Sequence, residues 1–217
     1  MSTIEMTRRT KLKRTADRGS YDRDVVNAII DEAYICHVGF VVDGQPFVVP
    51  TIHARIDDQL YLHGSAASRM LRTLRSEGVP VCVTVSIVDA LVMARSGMHH
   101  SMNYRSVMVL GQAVQVTDDA EKMLALEAVV EQVMKGRWDD TRWPNRSEMK
   151  QTMVLRLPIE EASAKMRTGM PKDDEDDMDL PHWAGLVPLR LVPGTPIADP
   201  LQPAGRPLPG YMKDLNR

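Results

Sequence analysis

The chain has 217 residues, of which 43% are hydrophobic, and a formal net charge of -2. This length allows one large domain or two small ones, and the near-neutral charge gives no general case for nucleic-acid binding. No apolar run approaches the roughly 20 residues of a membrane span, and Met1 leads into a polar, basic segment without a secretory signal. We therefore expect a cytoplasmic protein that binds neither nucleic acid nor membrane.

The N-terminal residues 1–18 form a basic segment, which we interpret as a solvated or partner-draping arm, with a nucleic-acid arm as the alternative. Asp22 can cap a helix that extends to about Ala33, because Val25, Val26, Ile29 and Ile30 recur with helical spacing. Cys36 and Cys82 lie in apolar, strand-like runs and match no CxxC pattern, so we predict buried free thiols rather than a disulfide.

Two hairpins follow this helix. Tyr34 to Val42 is an apolar strand, Asp43-Gly44 is a typical hairpin turn, and the next strand extends to Ile56. Pro50 cannot donate to a strand ladder, so it marks a bulge or an edge. The adjacent aspartates Asp57 and Asp58 then make a turn into a strand from Gln59 to His63.

Gly64 and Ser65 are predicted to end that strand, and Ala66 to Arg75 is predicted to be a helix. Unpaired N–H groups at a helix start, together with Ser65, Ser68 and Arg69, suit a phosphate. The alternative is an ordinary helix start that carries an arginine for solubility.

The second half of the chain alternates strands and helices. We predict strands at 80–88, 104–116, 152–157 and 164–168, a helix at 119–134 and a short helical turn at 159–162. Residues 89–102 are expected to be strand end plus loop, and 136–147 an irregular linker. The acidic run 171–180 is interpreted as a solvated, mobile loop, with a cation site as the alternative. The tail from 193 to 217 is proline-rich and should be extended.

Six or more short strands without βαβ alternation predict a mainly β protein with peripheral helices, arranged as an antiparallel barrel. Residues 19–192 would form this domain, between the arm 1–18 and the tail 193–217.

The histidines do not have the spacing of a metal site. If Asp57-Asp58 is a two-residue hairpin loop, His53 faces Leu62, and His53 and His63 point to opposite faces of the sheet. The chain also has no HxxxH, HExxH or Cys/His cluster, so we predict no metal site. No GxSxG, P-loop or GxGxxG motif is present, which assigns any chemistry to a cofactor.

Five segments resemble the pyridoxamine-phosphate-oxidase-like, FMN-binding split-barrel family, in the branch that includes nitroimidazole-reductase-like proteins. They are, in chain order, RGSYD (18–22), CHVGFVVDGQPFVVPT (36–51), LYLHGSAASRML (60–71), NYRSVMVLGQA (103–113) and WAGLVPL (183–189). The resemblance spans roughly residues 15 to 190, and it implies a split β-barrel that forms a homodimer with FMN at the subunit interface.

The resemblance also assigns residues to that cofactor. It places the flavin ring along a strand that comprises Val49, Pro50, Thr51, Ile52 and His53. It places the ribityl phosphate beside Leu62, His63, Ser65, Ser68 and Arg69. Arg105 and Ser106 resemble a second polar cluster on FMN, and His100 and Trp183 are expected on the substrate side, where Trp183 is equally interpretable as a core anchor. No basic C-terminal motif matches that of true pyridoxamine phosphate oxidases, which argues against vitamin B6 oxidation.

These assignments predict a flavin-dependent oxidoreductase that passes electrons from a reduced nicotinamide to a small molecule, for which a nitro compound is one candidate. The alternatives are a non-catalytic flavin or haem sensor, with His37 or His182 as the haem ligand, and a deazaflavin-dependent reductase.

Overall fold

The computed structural model describes residues 2–75, 79–203 and 205–213, so Met1, Ala204 and 214–217 of the predicted arm and tail lie outside it. Within these ranges the α-helices are α1 Arg23–Glu32, α2 Arg69–Leu74, α3 Asp119–Val133 and α4 Arg146–Gln151. The strands there are β1 Gly19–Ser20, β2 Ile35–Val42, β3 Gln45–Ile56, β4 Gln59–Ser65, β5 Pro80–Met93, β6 Ser101–Gln112, β7 Val114–Gln115, β8 Thr152–Pro158, β9 Glu161–Arg167 and β10 Gly185–Pro188. None of the described helices has the length and apolar character that a membrane crossing requires.

The strands form one antiparallel sheet in the order β1-β9-β6-β5-β2-β3-β4-β8-β7, and β10 is added beside β5. The chain continues from β6 through Ala113 into β7, which pairs with β8, so the sheet coils back on itself without closing. The predicted mainly β, antiparallel split barrel with peripheral helices is therefore confirmed.

The interior of the barrel is filled by every second side chain of its strands, as strand alternation requires. On β5 these are Val81, Val83 and Val85, each at most 3% exposed. Helix α1 covers one end of the barrel with Val26, Ile29 and Ile30. Its predicted cap is present, because the Asp22 carboxylate accepts a hydrogen bond from the Asp24 N–H at 2.8 Å.

A second apolar cluster lies between α3 and the outer face of β4 and β8. Its buried members are Tyr61, Val116, Ala125, Leu126, Trp138 and Val154. The helix α3 begins after Asp118, as predicted, and its Glu121 carboxylate accepts a hydrogen bond from the Tyr61 hydroxyl at 3.1 Å. Trp138, expected in an irregular linker, is 6% exposed and anchors that linker to the barrel.

Several predicted boundaries are wrong for tertiary reasons. Strand β4 extends through Gly64 to Ser65, because it pairs with β8 as far as Thr152. Strand β5 continues to Met93 past a register shift at residues 88–90, because β6 and β10 pair with it there. The predicted helical turn at 159–162 is instead a turn followed by β9, and the linker 136–147 leads into α4, which was not predicted.

The N-terminal segment is packed on the barrel rather than solvated. Ile4 is 1% exposed, and its N–H donates to the Tyr21 carbonyl at 2.8 Å. Thr7 and Arg9 both donate to the carboxylate of Glu161 on β9. Ile4 of this segment therefore belongs to the side chains that fill the barrel interior.

Candidate functional site

The barrel is split where β3 and β4 diverge. Residues 45–52 of β3 pair with β2, whereas only residues 53–56 pair with β4. Along residues 45–52, the other edge of β3 has no strand partner in the described part of the chain. Backbone groups on this open edge are available to a ligand. The residues that the resemblance assigns to the flavin ring, Val49 to Ile52, lie in this stretch.

Pro50 lies within the open stretch. Its register opposite His37 is regular, so Pro50 marks an edge and not a bulge. Pro50 and Ile52 are exposed, whereas Val49 and Thr51 are half-buried and point toward the barrel.

His53 closes the inner end of the open edge. It faces Leu62 across the ladder, as predicted, and both side chains are fully buried. The Nε2–H of His53 donates to the Ile30 carbonyl at 2.9 Å and ties β3 to α1. The side chains of His53 and Leu62 therefore support the wall of the site, and a ligand at the open edge can reach only their backbone groups.

His63 points to the opposite face of the sheet from His53. Burial lowers its pKa, so the imidazole is neutral near pH 7. Its Nδ1 is buried and has no hydrogen-bond partner among the described residues. An orphaned buried nitrogen of this kind is expected to find a partner in a ligand or water. His63 precedes Ser65 by two residues, so it lies at the start of the predicted phosphate segment.

The phosphate segment differs from its prediction in one respect, since α2 begins at Arg69 and not at Ala66. The chain turns at 65–68, where the Ser68 N–H donates to the Ser65 carbonyl at 2.8 Å. The Ser65 hydroxyl accepts the Ala67 N–H at 3.2 Å, whereas the Ser68 hydroxyl caps nothing in the helix. Of the two serines, Ser68 keeps the freer hydroxyl.

Three arginines of this segment surround an open depression of about 690 Å³. Its lining residues are Ala67, Arg69, Arg72, Thr73, Arg75 and Val79. The Arg69 guanidinium lies 5.6 Å from the ring centre of Phe47 on β3, which connects the depression to the open edge. No carboxylate of the described residues forms an ion pair with these arginines, so we call them the α2 arginine patch.

The second polar cluster predicted for the flavin is in a different environment. Arg105 donates to Asp89 at 2.7 Å and to Glu32 at 2.7 Å. These hydrogen bonds, above all the one to Glu32 and next the one to Asp89, raise the pKa of Arg105. The Ser106 hydroxyl donates to the Lys165 carbonyl at 3.1 Å. Among the described residues, no hydrogen bond or ion pair links this cluster to the α2 arginine patch.

Trp183 precedes β10 and is 68% exposed, so its interpretation as a core anchor is wrong. His100 is also exposed, and its Nδ1 lies 3.0 Å from the Ser96 carbonyl oxygen. The carbonyl can only accept, so in the neutral imidazole Nδ1 carries the proton and Nε2 has the lone pair. Both side chains lie near the β5–β6 end of the sheet rather than at α2.

The outer face of β2 and β3 is apolar, and no element of the described part of the chain covers it. Ile35, Val41, Val48 and Ile52 project from it, and Val48 is 68% exposed. His37, a predicted haem ligand, lies on the same face, whereas His182 lies in the exposed stretch before β10. In the described ranges, no three His, Cys, Asp or Glu side chains form a group that could hold a metal ion.

The acidic run 171–180 is only partly solvated. The side chain of Asp173 is 1% exposed and accepts the N–H groups of Arg95 at 2.9 Å and Ser96 at 3.2 Å. It also pairs with the Arg95 guanidinium at 3.1 Å. Asp173 thus fixes the loop 171–180 to the end of β5.

Comparisons with known proteins agree with the split-barrel fold. The family model described as pyridoxamine 5'-phosphate oxidase matches residues 22–166. No curated protein matches the chain.

Among solved structures, the chain is 40% identical to the flavocytochrome Anf3 from Azotobacter vinelandii, with 95% of both chains covered and a TM-score of 0.88. It is 35% identical to an FAD- and haem-binding protein from Mycobacterium smegmatis, over 90% of this chain and 95% of the other, with a TM-score of 0.86. A putative 5-nitroimidazole antibiotic resistance protein from Bacteroides thetaiotaomicron is 26% identical over 68% of this chain and 85% of its own, with a TM-score of 0.56.

Proposed function

Because this chain belongs to the pyridoxamine 5'-phosphate oxidase family, we propose that it binds a flavin and acts as a flavin-dependent oxidoreductase on a small molecule. The observation that carries the proposal is the α2 arginine patch, which lies beside the open edge of β3. It contains the family motif residue Arg69, which follows Ser68 in the chain. A phosphate is the group that such a patch fits, since arginine forks bind phosphate oxygens in pairs.

The residues present fit the cofactor at both of its ends. Arg69 and Ser68 would hold the ribityl phosphate, and the orphaned Nδ1 of His63 would gain a hydrogen-bond partner. The unpaired edge of Val49 to Ile52 would line the flavin ring through backbone groups. Leu62 and His53 would act from behind this edge, by filling the barrel and fixing β3 to α1.

When bound, a flavin supplies hydride and single-electron transfer, and the protein supplies binding, orientation and electrostatics. The α2 arginine patch would offset the phosphate charge, and the apolar wall of β3 would keep water from one side of the ring. We propose a reduced nicotinamide as the electron donor, and a nitro compound is one candidate acceptor.

Both FMN and FAD fit the segment that contains Ser68 and Arg69. FMN needs one phosphate contact, which Ser68 and Arg69 offer. FAD carries a second phosphate, and Arg72 on α2 and Arg75 directly after it offer two more cations for this group. The FAD- and haem-binding relative favours FAD, whereas the family resemblance favours FMN. Our sequence-based expectation of FMN thus becomes a choice between these two flavins.

We also propose that the protein is a homodimer that holds the flavin at the subunit interface. The apolar face of β2 and β3 supports this, because exposed apolar patches mark association surfaces. The face adjoins the open edge, so a second copy seated there would cover the flavin ring. Val48→Lys should convert the dimer to monomer in sedimentation analysis, whereas Leu124→Lys on the exposed side of α3 should not.

A second candidate function adds haem to the flavin and makes the protein a flavocytochrome. Two relatives that match nearly the whole chain are a flavocytochrome and an FAD- and haem-binding protein. His100 has the geometry of an iron ligand, since the Ser96 carbonyl holds its Nδ1 and leaves Nε2 to coordinate. His37 is the alternative ligand, because apolar side chains that could contact a porphyrin surround it.

The deciding experiment is the visible spectrum of the freshly purified protein, followed by the mass of each released chromophore. Flavin bands with the mass of FMN or FAD would establish the cofactor and distinguish the two. An additional sharp haem band would establish the flavocytochrome, and its loss in His100→Ala or His37→Ala would identify the ligand. A colourless protein that takes up neither added FMN nor added FAD would refute flavin binding. A deazaflavin-dependent reductase would release the deazaflavin mass instead.

A further inference from the structure

A second basic depression lies away from the α2 arginine patch. It forms where the 3-10 turn Ala16–Arg18 meets the end of β9, and its volume is about 160 Å³. Its lining residues are Asp17, Arg18, Met166, Arg167, Thr168 and Lys172. Arg18 is the first residue of the family segment RGSYD, but the flavin proposal uses none of these side chains.

Arg167 is the unusual member of this set, because it is only 7% exposed. Its Nη1 donates to the Asn103 side-chain oxygen and, at 3.4 Å, to the Gly169 carbonyl. Asn103 is itself 7% exposed, and its amide donates to the same carbonyl at 3.2 Å. This network holds the guanidinium in one orientation by a single nitrogen.

The remaining donors of Arg167 have no acceptor in the described part of the chain. Nε and Nη2 form no hydrogen bond with a described residue, and neither nitrogen is fully buried. Both nitrogens therefore retain some exposed surface, and Arg167 lines the depression. A guanidinium that is fixed on one side and open on the other presents a fork to an incoming anion.

The charge of the depression is not compensated locally. Arg18, Arg167 and Lys172 form no ion pair with any described carboxylate, and Asp17 is the one acid among the lining residues. The lining therefore carries a formal charge of about +2. A charge that is nine-tenths buried without a counter-ion is costly, which makes an anionic occupant favourable.

We propose that this depression binds a phosphate group, either as inorganic phosphate or as the terminal phosphate of a small molecule. The volume accommodates a phosphate group but not a whole nucleotide. A phosphate dianion would match the net charge of the lining, and its oxygens would accept from Arg167 in the paired geometry that a lysine cannot offer. The inference stands independently of the flavin site.

The test measures the melting temperature of the full chain against inorganic phosphate at constant ionic strength, with chloride and acetate as reference anions. We expect a saturable rise with phosphate that Arg167→Met abolishes. The double variant Arg18→Ala/Lys172→Ala should weaken the apparent phosphate affinity by about tenfold, since each charge near the surface contributes up to about fivefold. Phenyl phosphate should raise the melting temperature as inorganic phosphate does if the depression accepts the terminal phosphate of a small molecule.

Two controls separate this site from other effects. Arg8→Ala/Arg14→Ala removes the same charge from exposed positions of the same segment and should leave the phosphate response intact. Because the α2 arginine patch also fits a phosphate, Arg69→Ala identifies the part of the response that comes from that patch, and a saturable rise should remain in this variant. A response that disappears in Arg69→Ala would assign the phosphate to the α2 arginine patch and overturn the proposal. An equal rise in melting temperature with chloride or acetate would also overturn the proposal. An unchanged rise with phosphate in Arg18→Ala/Lys172→Ala would do the same, and this outcome can be read even if Arg167→Met does not fold.

Discussion

The guanidinium of Arg69 lies over the Phe47 ring and meets no described carboxylate, whereas the guanidinium of Arg105 is divided between Glu32 and Asp89. Both arginines belong to segments that the family resemblance assigns to the flavin. Their surroundings give them different tasks within one chain. An unpaired arginine beside an open depression attracts a phosphate, whereas a doubly paired one must lose two partners before it can bind another anion.

The largest effect should come from Arg69→Ala. We expect flavin affinity to fall by about 1–3 kcal/mol, the range for a lost charged hydrogen-bond partner, while the melting temperature of the apoprotein stays unchanged. Quenching of flavin fluorescence by the apoprotein measures the affinity, and Arg8→Ala is the matched exposed control. An unchanged affinity would remove Arg69 from the site.

Arg105→Ala should show the opposite pattern. It leaves the carboxylates of Glu32 and Asp89 close together without a cation, so we expect the free energy of unfolding to fall by about 1–2 kcal/mol. Urea unfolding measures this loss, and Arg105→Lys should restore part of it. If Arg105→Ala instead weakens flavin binding more than it lowers stability, the two arginines share one role, and the partner subunit brings them together.

A smaller effect should come from salt. Raising the ionic strength from about 0.05 M to about 0.5 M shortens the screening length severalfold, so flavin affinity should fall by a few fold through the exposed α2 arginine patch. Titrations at several salt concentrations measure this slope, and the slope should be shallower in Arg72→Ala/Arg75→Ala. Equal slopes in both proteins would show that these two arginines do not contact the cofactor.

The smallest effect should be the pH response of His63. Burial lowers the pKa of His63 in the folded protein, so below about pH 6.5 the unfolded chain binds a proton that the folded chain does not. Stability should therefore decline as the pH falls from 7.5 toward 5.5, with the proton favouring the unfolded state. Melting curves of the wild type and of His63→Asn test this, and a decline of equal size in both would exclude His63 as its source.

The local elements could be predicted because short-range chemistry decides them. Asp43-Gly44 and the turn at Asp57 adopt positive φ, which Asp and Gly tolerate well, so both hairpins follow from the sequence. Asp22 and Asp118 cap their helices through hydrogen bonds to residues within one turn. Helix α4 had a comparable local pattern that the prediction missed, a capping box between Asn145 and Glu148.

The functional residues divide in the same way. Ser68 and Arg69 lie in a contiguous motif, so the sequence could single them out. Arg167 and Asn103 are 64 residues apart, and only the pairing of β6 with β9 brings them together. No local pattern distinguishes Arg167 from a surface arginine, because burial and the lack of an ion pair are properties of the folded chain.

The sequence by itself determined the hairpins, the helix caps, the mainly β fold class and the family motif, since each depends on residues that are near one another in the chain. Tertiary structure alone decided where β4 ends and α2 begins, which edge of β3 stays open, and which arginines are paired. The physical reason is that strand pairing and ion pairing join distant segments, and their free energy is realised only when the sheet has coiled into its split barrel.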